Sequence, residues 1–169
     1  MSLRIEDYAM LADGQSAALV GKDGSIDRLC WPMFDSSSCF AALIGGPENG
    51  YWRIAPDEPV IATRRRYLGA SLVLETTMQT AHGTLELINW MEWAATPARL
   101  IRQVRCVSGR LGIVSEMAAR FNYGRALPRH RRLGEQLAAI GGPWALWLDA
   151  QHANCRRRVR AKYSRVECR

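Results

Sequence analysis

Asp23, Asp27 and Asp35 stand near one another in the sequence. Paired carboxylates can divide hydrolytic work, one kept protonated to act on a leaving oxygen and the other ionised to activate water or attack. Acidic residues beside a β-turn and at strand ends more often order the local backbone, and this is the reading favoured for the trio. The other reactive side chains offer less. His82, His130 and His152 lie far apart, without a cysteine or carboxylate at ligand spacing, so no metal or cofactor is expected. Cys30, Cys39, Cys106, Cys155 and Cys168 are odd in number and never form a Cys-x-x-Cys pair, which points to buried free thiols rather than disulfides or a zinc knuckle. Gly45-Gly46 and Gly141-Gly142 lack the further glycines and the Lys-Ser/Thr of a phosphate cradle, and there is no Gly-x-Ser-x-Gly elbow.

Flat rings can stack on sugar faces, and Trp31, Trp52, Trp90, Trp93, Trp144 and Trp147 are available. Core packing is the stronger explanation for most of them, because indoles between two facing sheets bury much stabilising area.

The elements that must position these groups read as β throughout. Short apolar or alternating runs are separated by turn signals at modest intervals. Ser16 to Gly21 and Ser25 to Trp31 flank Lys22-Asp23-Gly24, where Asp-Gly supports a tight hairpin. A second hairpin is expected from Leu72, Leu74, Thr76, Met78 and Thr80, alternating with Glu75, Thr77 and Gln79, turning at His82-Gly83 into Thr84 to Trp93. That last run has apolar groups on both faces and should lie centrally, covered by a second sheet or another domain. A third hairpin is expected from Leu100 to Val107 and Arg110 to Met117 around Ser108-Gly109. One short helix of one or two turns is expected within residues 36–46, where serines can cap amides and glycines can stop it. Residues 133–140 have helical propensity, but Gly141-Gly142-Pro143 and Trp144 to Leu148 favour a strand in a further hairpin.

The chain has 169 residues, 48% of them hydrophobic, enough for one domain with a core. No apolar stretch reaches membrane-span length and the N-terminus carries no export signal, so a soluble cytoplasmic protein without a membrane partner is expected. The net charge of +7 is uneven: residues 1–119 hold 11 Lys and Arg against 13 Asp and Glu, and residues 120–169 hold 12 against 3. Residues 129–132 and 155–162 could bind phosphate backbones. With no zinc finger, helix-turn-helix or RNA-binding signature present, a solvated face or a surface for an acidic partner domain is favoured over nucleic acid.

The order of several motifs carries more information than any one of them. Ile5-Glu6-Asp7-Tyr8-Ala9, Asp13-Gly14, Ala17-Ala18-Leu19-Val20, Asp23-Gly24-Ser25-Ile26-Asp27, Cys30-Trp31-Pro32, Phe34-Asp35-Ser36, Cys39-Phe40-Ala41-Ala42-Leu43, Arg65-Arg66-Tyr67, Gly83-Thr84 and Arg120-Phe121-Asn122-Tyr123-Gly124 occur in sequence. In this arrangement the chain resembles the N-terminal domain of bacterial glycoside hydrolase family 15 proteins, the glucoamylase, glucodextranase and trehalase-like group. The resemblance is strongest over residues 4–125 and weaker over the basic residues 126–169. It implies an all-β, antiparallel two-sheet sandwich occupying residues 1–169 as a single domain and ending before the sandwich's last strands. It also implies a partner, a helical toroid carrying the two catalytic glutamates of an inverting enzyme, which the chain does not contain.

The resemblance therefore implies an accessory domain, inactive by itself, of an enzyme that hydrolyses α-glucosidic bonds. Trp31, Phe34 and Asp35 are expected at one rim of the sugar pocket, near an α-glucan or trehalose. Without the toroid, exposed apolar surface should favour self-association. Arg28 stands where an aromatic residue is expected, Met33 replaces an arginine, and Asn89 replaces an acidic residue. A free-standing carbohydrate-binding sandwich and a nucleic-acid binder using the basic segment are the two alternatives.

Overall fold

The computed structural model describes residues 3–134, 136–149, 158–160 and 163–167. The chain enters through a single 3-10 turn at Ile5–Asp7. It then runs into β1 (Tyr8–Ala12), β2 (Ala17–Gly21) and β3 (Ser25–Cys30). The Asp-Gly signal is realised between the last two. Gly24 has φ of 81°, its amide donates to the Gly21 carbonyl at 3.0 Å, and the Asp23 carboxylate accepts the Ser25 amide at 3.1 Å. A Cβ at Gly24 would run into the Ile54 carbonyl, so glycine is needed there for space as well as for φ.

Residues 36–46 depart from expectation. Instead of a helix they form the short strand β4 (Ser38–Phe40), which pairs with β3, and then a turn. The 3-10 turn Pro47–Asn49 follows. Ser38, Cys39 and Phe40 are all buried, and three consecutive buried residues suit a strand covered on both faces better than a surface helical turn.

The chain continues through β5 (Tyr51–Pro56), β6 (Ala62–Tyr67), β7 (Leu74–Gln79), β8 (Gly83–Met91), β9 (Leu100–Gly109) and β10 (Gly112–Ala118). It closes with β11 (Arg129–Leu133), β12 (Gln136–Gly141), β13 (Trp144–Leu148), β14 (Arg158–Arg160) and β15 (Tyr163–Glu167). Every pairing is antiparallel. Of the strand favoured for residues 133–140, residues 136–140 are present in β12, hairpinned to β13, while Leu133 closes β11 and Gly134 turns between them.

Among the described residues three sheets result. The largest has the order β1-β2-β3-β5-β10-β15-β14 with β4 alongside β3; a second has the order β6-β7-β8-β9; a third is β11-β12-β13. The first two form the expected sandwich, and the three-stranded sheet is an addition to it. Leu74 and Met91 of the four-stranded sheet pack with Leu11, Val20, Ile26, Leu29 and Phe40 of the large one. Met78, Leu85 and Leu87 pack with Ile54, Ala55, Leu111 and Ile113 in a second cluster. The third sheet joins through Ala139 and through Trp144, whose ring stacks on Phe121 with centroids 6.1 Å apart.

From Leu74 onward the second hairpin matches its alternation, whereas Leu72 lies before the strand and is exposed. Leu74, Thr76 and Met78 are buried, Glu75 and Thr77 half-buried, and Gln79 exposed. β8 lies inside its sheet with Leu85, Leu87, Asn89 and Met91 buried; its other face, including Ile88 and Trp90, is only half-covered. The third hairpin is not formed. β9 stays beside β8, while the chain crosses to the large sheet and β10 pairs with β5. Gly109 at φ 74°, the Arg110 amide donating to the His82 carbonyl at 3.2 Å, and the burial of Leu111 hold that crossing. Alternation shows that two strands face a core, but the same pattern serves strands in different sheets.

Candidate functional site

The bulge between β2 and β3 sets the first carboxylates. Leu19 faces Arg28 and Val20 faces Ile26, so Asp27 is the extra residue and its side chain turns away from the core. Its carboxylate accepts the Tyr8 hydroxyl at 2.7 Å and the Ser25 hydroxyl. Burial, reinforced by the Asp27 hydrogen bond, raises the Tyr8 phenol far above its ordinary range. Asp23 orders the turn and lies 4.0 Å from the Arg53 guanidinium. Asp35 is exposed in a different loop, with no hydrogen bond or ion pair among the described residues and no helix after it to cap. The trio does not converge; two of its members hold local structure.

The loop from Trp31 to Ser37 closes on itself and on its neighbour. The Trp31 amide donates to the Ser37 carbonyl at 3.3 Å, the Ser36 amide to the Met33 carbonyl at 3.0 Å, and the Phe34 amide to the Gln15 carbonyl at 2.9 Å. This arrangement displays the three residues expected at a rim in different directions. Trp31, half-buried, lines a groove of about 440 Å³ with Pro32, Phe121, Pro97, Trp144 and Leu146. Phe34, 66% exposed, borders a smaller hollow of about 100 Å³ with Met10, Leu19 and Arg28. Asp35 faces solvent. Arg28, expected to be aromatic, stands beside Leu19 and carries charge into an otherwise apolar hollow.

The groove forms chiefly between the loop after β3, the segment between β8 and β9, and the turn from β12 into β13, with Gln15 of the β1–β2 turn and Phe121 after β10 adding to its wall. Its lining is apolar and aromatic, with Gln15, Ser37 and Thr96 as polar members and no carboxylate. Such a surface suits apolar packing or a ring face but contains no acid-base pair. Residues 95–98 and 143–146 are contributions that the sequence reading missed; only the turn signal at Gly142-Pro143 pointed toward this end of the sandwich.

A half-buried cation joins the two main sheets elsewhere. Arg102 on β9 donates to the Asn89 side-chain oxygen at 2.9 Å, the Trp52 carbonyl at 2.6 Å and the Gly24 carbonyl at 2.5 Å, with its guanidinium 4.9 Å from the Trp52 ring centre. Burial pushes Arg102 down, to about 9, still charged at neutral pH. Asn89 is fully buried and its side-chain nitrogen has no protein partner. The acidic residue expected at 89 would face this guanidinium directly.

Cys30 and Cys39 are buried free thiols, and burial raises the Cys39 thiol well above its ordinary value; Cys106 is half-buried. Cys155 and Cys168 lie outside the described residues. Among the described residues no three His, Cys, Asp or Glu side chains gather as metal ligands, and no helix is long and apolar enough to cross a membrane. Residues 129–133 form an exposed strand. Of the second basic run, residues 155–157, 161 and 162 lie outside the described residues.

Comparison with known proteins adds a specific relationship. Residues 1–156 match the family model described as trehalase-like, N-terminal. A trehalase of Mycobacterium tuberculosis (strain ATCC 25618 / H37Rv) is 34% identical over 141 residues, covering 72% of this chain and 20% of the relative. A trehalase of Mycolicibacterium smegmatis (strain ATCC 700084 / mc(2)155) is 35% identical over 141 residues, covering 72% and 21%. Trehalase 2 of Sulfolobus acidocaldarius is 32% identical over 118 residues, covering 70% and 19%. The chain thus spans about a fifth of the length of these relatives. No solved structure matches it.

Proposed function

The chain belongs to the trehalase-like N-terminal family, and from that premise we propose that it is the β-domain supporting the catalytic part of a glycoside hydrolase of trehalase or glucoamylase type. The observation that carries this reading is the family match over residues 1–156, joined to an apolar groove at one end of the sandwich. The domain's part is mechanical. It offers the groove and the neighbouring loop to the catalytic domain, and it sets Phe34 and Asp35 at the rim of a pocket whose acid and base come from elsewhere. The bond broken in the complete enzyme is α-glucosidic, with trehalose favoured over glucans by the names of the relatives.

The purified 169-residue chain should release no glucose from trehalose, maltooligosaccharide or dextran. Measurable release would place an acid-base pair within it and overturn the reading. A chimera is the positive test: this chain replaces the corresponding N-terminal fifth of the M. tuberculosis trehalase. Trehalose hydrolysis by the chimera, lost when the N-terminal fifth is deleted, supports the proposal. A chimera that folds and binds no better than the deletion opposes it.

A further inference from the structure

Sheet edges carry unpaired amides and carbonyls that invite another strand, and proteins ordinarily guard them. Most edges here are short or guarded. The Tyr67 hydroxyl both accepts the Met10 amide and donates to the Met10 carbonyl, each at 2.9 Å, across the edge of β1. β6 carries Arg64, Arg65 and Arg66, and β11 carries Arg129, Arg131 and Arg132. β13 has five residues. β9 differs: it is the outer strand of its sheet, ten residues long, has no proline, and turns one of its two arginines, Arg102, into the core.

The ladder shows which groups of β9 point outward. Glu92 donates its amide to the Arg99 carbonyl at 2.9 Å, so that facing pair is the hydrogen-bonded kind. Alternation along the register makes Ile101, Gln103 and Arg105 bond to β8 and turns the amides and carbonyls of Leu100, Arg102, Val104 and Cys106 outward. The bulge opposite Thr84 and Leu85 ends this regular stretch.

We propose that β9 pairs antiparallel with β9 of a second copy about a two-fold axis at Gln103, joining two four-stranded sheets into one. In this register the whole outward-bonding stretch, Leu100 to Cys106, is used. Arg102 and Val104 exchange backbone bonds, as do Leu100 and Cys106. On the outer face Gln103 meets Gln103 and Ile101 meets Arg105, with no like charges directly opposed. The nearest register one way, centred on Arg102, sets Arg102 against Arg102; the nearest the other way, centred on Val104, opposes no like charges but leaves Leu100 facing Ser108 beyond the regular stretch. Charge and strand length together select the centred register.

Sedimentation velocity on the full chain, at concentrations up to roughly 100 μM, should show a concentration-dependent dimer. Val104→Pro removes an outward amide that β8 does not use, and should give a monomer. Gln103→Arg puts two cations at the axis on an exposed site, and should weaken the dimer about fivefold or more, with unchanged circular dichroism. Ile101→Glu sets a carboxylate against Arg105 of the other copy twice and should tighten it about fivefold. The opposite signs separate this pairing from general stickiness, and Gln103→Arg decides the matter if Val104→Pro does not fold. A chain monomeric throughout the range assigns the edge to some other strand and overturns the proposal. A dimer indifferent to Gln103→Arg and Ile101→Glu overturns it equally.

Discussion

The seam around Arg102 and the mouth around Trp31 solve opposite problems with similar residue types. At the seam a half-buried tryptophan and a half-buried arginine meet three oxygen acceptors between the sheets, and the guanidinium ties β9 to β5 and to the turn between β2 and β3. At the mouth, Trp31 is half-buried and Met33 is exposed over a groove without charged lining, while Phe34 stands exposed beside the smaller hollow. The seam pairs its carbonyls and guanidinium internally, leaving the Asn89 side-chain nitrogen as its one unpaired group among those named, whereas the mouth leaves apolar surface to be covered. Stability should therefore depend on the first, and association with a catalytic domain on the second.

Replacing Arg102 with Leu should break this contrast most severely. The Gly24 and Trp52 carbonyls and the Asn89 oxygen lose their shared donor, and the loss should be roughly 3–5 kcal/mol by denaturant unfolding. A loss as small as that of a surface substitution would show that the seam is not the stabilising region. Gly24→Ala comes next, at about 2–3 kcal/mol, since the added methyl meets the Ile54 carbonyl in a backbone conformation that alanine disfavours. Asn89→Asp should act in the other direction. The carboxylate keeps the Arg102 bond, removes the unpaired amide nitrogen and pairs the buried charge, for a gain of about 1–2 kcal/mol. Destabilisation by this change would mean that burying the new anion outweighs its pairing.

Acid should produce a smaller effect on the outer face. Two hydrogen bonds from Arg66, at 2.7 and 3.0 Å, hold the Glu75 carboxyl below its ordinary value of 4.5. The folded state thus binds its proton less readily than the unfolded chain. The contribution is fully present above pH 4.5 and is lost as pH falls through the lowered folded value. Wild type should melt above Glu75→Gln at pH 7, and the gap should narrow as pH falls below 4.5; a gap that widens in acid contradicts the pairing. Phe34→Ala and Asp35→Ala should change stability least, by about 0.5 kcal/mol or less, yet lower trehalose turnover in the chimera. Unchanged turnover would remove them from the rim.

The sequence exposed the seam only in pieces. Asp-Gly marked its turn, and the departure at Asn89 marked a site where the chain breaks its family's pattern. Nothing in the spacing linked Gly24 and Trp52 to the Asn89–Arg102 pair, because these lie on separate strand pairs. The mouth was half legible for the same reason. Trp31, Phe34 and Asp35 share a loop, so their proximity along the chain was evident, but the groove's other walls at residues 95–98 and 143–146 come from distant connections.

Alternation and turn chemistry are local properties, and they alone determined an antiparallel β protein, the hairpins of β2 with β3 and β7 with β8, and the strand at β12. Pairing across a sandwich is a competition among edges of similar pattern, which local sequence cannot arbitrate. Tertiary packing therefore decided that β10 leaves β9 for β5, that residues 38–40 become a buried strand instead of a helical turn, and that Trp31 and Phe34 face different hollows. The physical reason is that side-chain period fixes which face of a strand is buried, whereas its neighbour is chosen only when the whole core closes.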